Sequence, residues 1–138
     1  VWIGRAYTTL NPVTHATVSP AEMFGLTDWT GLEMVLHEVC HELILPTERA
    51  LADALGAQHM NEHGGLWHVV QFYLTGTALR HVLRARDIDH TPYMYSTGLF
   101  DRAWSQYRKP LEEHLEPLVR GEVTRADAIT RIVAAVLR

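Results

Sequence analysis

His37-Glu38-Val39-Cys40-His41 is the stretch from which this chain can be read. Two histidines four residues apart share one face of a helix and can hold a single zinc ion. The glutamate between them sits beside that ion and can act as general base on a bound water. Histidine is common here, nine of 138 residues. Even so, only about 0.04 such matches are expected by chance at this chain's own His and Glu frequencies. The flanks read as helix, because Leu32, Val35, Leu36, Val39 and Leu43 recur at helical spacing. The expectation is an apolar stripe turned to the core, with His37, Glu38 and His41 on another side.

Upstream, Val1-Trp2-Ile3 and His15-Ala16-Thr17-Val18 are short β-branched runs separated by Asn11-Pro12, and Tyr7-Thr8-Thr9 is a third candidate strand. Residues 19–28 read as a loop, with Asp28 or Thr30 capping a helix over about 30–45 that Pro46 stops. Thr47 can cap a second helix near 48–57, ended by Gly56. Residues 58–65 form a polar connector, and a third helix spans about 66–86, where Gly76 marks close packing. Residues 87–100 read as a loop, followed by helices at 101–108, 110–120 and 125–137. Thr124 and Asp127 form a capping box for the last of these.

The length fits one domain, 1–138, and apolar, aromatic and charged contents of 47%, 9% and 20% are those of an ordinary globular chain. A net charge of −4 without a Lys/Arg run argues against nucleic acid as a partner. No apolar stretch approaches the ~20 residues that span a bilayer. The single cysteine, Cys40, forms no internal disulfide and reads as a small core residue. The chain opens without Met, as a domain or fragment of a longer protein would.

A catalytic zinc has three protein ligands and one open position. His68, on the apolar start of the third helix, is one candidate for the missing ligand. Glu62 lies twenty-one residues after His41, close to the separation in glutamate zincins, but glycines flank it; His59 and His63 are further candidates. His15, His81, His90 and His114 read as surface or structural residues, with His15 the first exception among them. Ile44 and Thr47 stand where the metzincin pattern needs Gly and His, so that pattern is excluded. Tyr93 and Tyr95 sit in a Pro-bounded loop of the kind that lines active sites, and Tyr93 is the candidate oxyanion donor. Trp2, Trp29, Trp67 and Trp104 are core candidates, with Trp67 also placed to wall the site.

Leu66-Trp67-His68-Val69-Val70-Gln71-Phe72-Tyr73-Leu74-Thr75-Gly76 resembles the second motif, L-W-H-x-x-x-F-Y-x-x-G, of a bacterial family of zincin-like metallopeptidase candidates. Pro92-Tyr93, Gly98-Leu99-Phe100, Trp104, Pro110-Leu111-Glu112, Pro117 and Gly121 resemble the C-terminal half of that family. The resemblance covers residues 15–138. It implies a zincin-like fold with the HExxH helix under a strand, which joins the reading of the elements above as an α+β domain: a small N-terminal sheet packed on a mostly helical remainder with the HExxH helix at its centre. It also implies His68 as third ligand. It implies no particular substrate.

The resulting expectation is metal-assisted hydrolysis. One zinc is held by His37, His41 and His68, Glu38 is the base, and a peptide or a small amide or ester is the substrate. The rival expectation is a non-catalytic zinc-stabilised module, which a fourth ligand such as Glu62 or His63 would favour. Ligand types alone do not choose zinc over iron or manganese.

Overall fold

The computed structural model describes residues 6–10, 13–18 and 29–138. It is an α+β arrangement. Two short strands, β1 (Tyr7–Thr9) and β2 (His15–Thr17), pair antiparallel with Thr8 opposite Ala16. The helices are α1 (Thr30–Val39), α2 (Leu45–Leu55), α3 (Met60–His63), α4 (Leu66–Arg84), α5 (Tyr93–Ser96), α6 (Leu99–Ala103), α7 (Ser105–Val119) and α8 (Arg125–Val136), with a 3-10 turn at Ala57–His59. The expected strand at Val1-Trp2-Ile3, the loop 19–28 and the Asp28 cap lie outside the described residues.

The long helix α4 is the centre of the packing. It touches α1 on one side and α2, α5 and α7 on others, while α8 closes the core against α2 and α7. Leu51, Leu66, Val70, Phe100, Leu111, Leu115 and Ile132 are fully buried there. The hairpin lies on α1, and the Thr8 hydroxyl reaches the Glu38 carbonyl at 2.7 Å.

The helix expected over 30–45 ends at Val39. Its i to i+4 ladder fails at His41, whose N–H bonds the Glu38 carbonyl at 3.3 Å. The His37 carbonyl instead accepts from Gln71 Nε2 at 2.7 Å. A turn over 40–44 follows. Pro46 then sits in the first turn of α2, where a missing N–H costs nothing, rather than terminating a helix. Trp29 and Ile44, not Thr30 and Thr47, occupy the N-cap positions, and neither makes a side-chain cap.

The apolar stripe of α1 is also placed differently from expectation. Val39 and Leu43 are 48% and 72% exposed, and Leu32 is exposed too; the buried residues are Gly31, Glu33, His37 and Glu38. The polar side of α1 is the inner one, with interior partners for the Glu33 and Glu38 carboxylates. Trp29 is likewise exposed, whereas Trp67 and Trp104 pack against the core.

Three further segments depart from the sequence reading. The connector 58–65 carries the 3-10 turn and α3, and the loop 87–100 carries α5. Residues 105–119 form one helix through Pro110 and Pro117. An interior proline costs on the order of 3 kcal/mol. Burial of Tyr107, Leu111 and Leu115 on one face of α7 offsets it. At α8 the N-cap half of the expected capping box is present: Thr124 Oγ1 accepts the Asp127 N–H at 3.1 Å, and the Asp127 carboxylate accepts from the Thr124 hydroxyl at 2.7 Å.

Candidate metal centre

α1 and α4 cross so that His37 and His68 face each other, with Nε2 atoms 3.2 Å apart. His41 joins them from the turn after α1. One ring nitrogen from each of the three lies within 4.8 Å of the others. Ring centroids are 5.0 Å apart for His37 and His41, 5.1 Å for His37 and His68, and 5.5 Å for His41 and His68. Two nitrogens at about 2.0–2.1 Å from a tetrahedral zinc stand about 3.3 Å apart. The His37–His68 pair is near that edge length, so the donor set fits a metal ion; three imidazoles do not by themselves specify which metal.

Two of the three cluster histidines, His37 and His68, are held neutral. Desolvation first, and then the neighbouring His68 and His41, push His37 down to about 3. His68 falls to about 4 by burial and then by His41. At neutral pH both therefore present lone pairs without first losing a proton.

Packing orients these rings more than hydrogen bonding does. Phe72 stacks on His37 at 3.8 Å between centroids and 24° between planes. His37 Nδ1 is buried with no hydrogen-bond partner among the described residues. A ligating histidine ordinarily donates its second nitrogen to an oxygen. In this chain the Phe72 stack and the Gln71 grip on the His37 backbone take over the orienting role. Trp67 and Trp104 stand 5.0 and 6.0 Å from the His68 ring.

Glu38 is 4% exposed, on the same side of α1. Its Oε2 lies 2.7 Å from the Thr8 hydroxyl and 3.8 Å from His41 Nε2. A cleft of about 660 Å³ opens on the cluster, lined by Thr8, His37, Glu38, His41, His68, Phe72, Tyr93 and Trp104 among others. Tyr93 thus borders the cleft. Tyr95 points elsewhere and donates to Glu112 Oε1 at 2.8 Å.

The other third-ligand candidates are occupied away from the cluster. Glu62 is exposed beside His63, at 3.7 Å. His63 Nδ1 is 3.1 Å from the Tyr107 hydroxyl, and His59 meets Gln58. His15 lies exposed on β2. His81 bonds Glu116 at 2.9 Å.

Four residues of this neighbourhood were not singled out from sequence: Thr8, Glu33, Gln71 and, as a buried residue, His90. Glu33 is 1% exposed and lies one turn before His37. Its Oε2 accepts from His90 Nε2 at 2.7 Å, and its two oxygens accept the Tyr93 N–H at 3.0 and 2.9 Å. Burial pushes the Glu33 carboxyl up, against the lowering effect of those two donors. The i, i+4 spacing of Glu33 and His37 was the available signal, since it places both on one helix face.

Searches of protein-family models, of curated proteins and of solved structures find no match to this chain.

Proposed function

We propose that this chain is a zinc-dependent hydrolase of zincin-like architecture, with peptides as the favoured substrate class and small amides or esters next. The observation that carries the reading is the convergence of His37, His41 and His68 with the Glu38 carboxylate in one cleft. His37, His41 and His68 would hold the zinc ion, and when bound it would supply a water of pKa lowered toward ~7 and a polarised carbonyl. Glu38 receives the proton of the attacking water and delivers it to the departing amine or alkoxide. The Thr8 hydroxyl, 2.7 Å from Oε2, fixes the direction of that carboxylate. Tyr93, across the cleft, supplies the hydroxyl that donates to the developing oxyanion. The resemblance of the Leu66–Gly76 segment to zincin-like metallopeptidase candidates supports the same reading.

A purely structural zinc site needs four protein ligands. Among the described residues no fourth His, Cys, Asp or Glu joins the three histidines. A carboxylate set beside the ligands has a use in hydrolysis and none in a closed site.

The test is Glu38→Gln, screened with the wild type against peptide and ester libraries after loading with zinc. Gln keeps size and hydrogen bonding but cannot accept the proton. The expected result is wild-type turnover of some member, no turnover by the variant, and equal zinc content. Equal turnover by both would remove Glu38 as base, and a wild type inactive on every member would favour the structural site.

A further inference from the structure

A fully buried carboxylate on the helix that carries His37 calls for a physical reason. Glu33 has no solvent to screen it, and its side chain and that of His90 are 1% and 2% exposed. Burying a charge is costly unless its partners are well placed. Here they are. His90 Nε2 donates to Oε2 at 2.7 Å, and the Tyr93 backbone N–H is shared between both oxygens. The space for this arrangement is left by Gly76 of α4, where a Cβ would stand 2.5 Å from Glu33 Oε1 and 2.7 Å from Pro92 Cβ.

The anchored segment reaches the cleft. Tyr93 is the first residue of α5, so its N–H has no partner within that helix and takes one from Glu33. Its ring lies parallel to Phe72 within 19°, at 5.9 Å, and Phe72 in turn stacks on His37. A closed path therefore runs from Glu33 through the Tyr93 backbone, the Tyr93 ring and Phe72 to His37, and back along one turn of α1. Glu33 fixes both ends of that path at once.

We propose that Glu33 is a positioning residue of the hydrolytic site: clamped by His90, it holds the Tyr93 backbone and so sets the Tyr93 side chain across the cleft from His37, His41 and His68. This rests on the reading of the cleft as a hydrolytic site with Tyr93 as oxyanion donor. It adds a role to two residues outside the cleft's chemistry. His90 keeps the carboxylate turned toward Tyr93, and Glu33 acts through Tyr93 without touching substrate.

The probe is acetohydroxamate, a small zinc chelator whose carbonyl oxygen takes the place of the oxyanion. Its affinity is measured by calorimetry on zinc-loaded wild type, Glu33→Gln, Tyr93→Phe and the double variant, with zinc affinity measured in parallel. Gln matches Glu in size, but whichever way its amide turns, an NH2 donor replaces one of the two oxygens that accept the Tyr93 N–H, so the charge is lost and the clamp is weakened. Each single variant is expected to lose about tenfold in hydroxamate affinity, the scale of one hydrogen bond to a charged group. Zinc affinity stays within about threefold of wild type. The double variant is expected to lose about tenfold and no more, because both changes remove the same contact. A general loosening of the fold would instead add to the Tyr93→Phe effect. A hundredfold loss in the double variant, or zinc loss in Glu33→Gln, would overturn the proposal. So would an unchanged hydroxamate affinity in Tyr93→Phe, although zinc binding would still support the metal centre. Wild type that binds no zinc would remove the hydrolase reading itself. Should Glu33→Gln not fold, His90→Asn keeps the carboxylate but removes its clamp, and the same cycle with Tyr93→Phe decides the matter.

Discussion

Gln71 Nε2 donates to the carbonyl oxygen of His37 at 2.7 Å, and this bond ties α4 to the backbone of the first ligand. Gln71 is 1% exposed, and the carbonyl it serves is the one that the local break in α1 leaves without an amide partner. The turn that follows the break carries His41 beside His37 and His68.

Replacing Gln71 by Met is expected to expose what this bond contributes. The change keeps volume but leaves the His37 carbonyl unsatisfied, which costs about 1–3 kcal/mol. Chemical denaturation should show a lowered midpoint with an unchanged slope, and zinc affinity should fall with it. Wild-type stability together with wild-type zinc affinity would mean that the bond orients nothing.

Gly76→Ala is a second case in which the local environment reverses the usual sign. In an open helix the change stabilises by about 1 kcal/mol. Here the new methyl meets Glu33 Oε1 and Pro92 Cβ at distances real Cβ atoms do not adopt. The expected outcome is destabilisation by about 1–3 kcal/mol, read by thermal or urea unfolding. A stabilised variant would contradict the packing of α1 against α4.

Acid should weaken the zinc-free protein. His37 and His68 bind protons only near pH 3 and 4 when folded, and near their ordinary value of 6.5 when unfolded. The unfolded chain thus holds more protons between about 4 and 6.5, so stability falls as pH drops through that window and is level above it. Glu33, pushed up by burial, acts in the opposite direction toward the acid end. Urea midpoints of wild type and His68→Ala at several pH values separate the contributions. The variant should show the shallower fall, and equal curves would exclude His68 as a source.

Among the ligand candidates, His68→Ala should weaken zinc binding at least tenfold, while Glu62→Ala should leave it within about twofold. Glu62 is exposed and faces His63, and it is not among the residues whose donor atoms converge with His37, His41 and His68. Competitive zinc titration gives the ranking, and the reverse order would place Glu62 at the metal.

The pattern at 37–41 carried the site because two histidines four residues apart stay neighbours, a local property, even though α1 ends between them, and the structure brings them together with His68. The Thr124 cap and the close approach at Gly76 were legible for the same reason. The inward face of α1 was not. Periodicity assigns apolar residues to the core, but Glu33 and His37 are buried by partners fifty-seven and thirty-one positions away, His90 and His68. The end of α1 at Val39 depends on Gln71, and the continuity of α7 through two prolines depends on packing against the core. Such long-range compensation has no signature in a local window.

The central claim is a metal held by three histidines, and zinc stoichiometry at neutral pH tests it most directly. Protein freed of metal, titrated with zinc against a chelator of known affinity and then analysed for metal content, is expected to take up about one zinc per chain. His37→Ala and His41→Ala are expected to lose most of that binding while remaining folded by circular dichroism. Folded wild-type protein that takes up no zinc, or variants that bind it as the wild type does, would contradict the account.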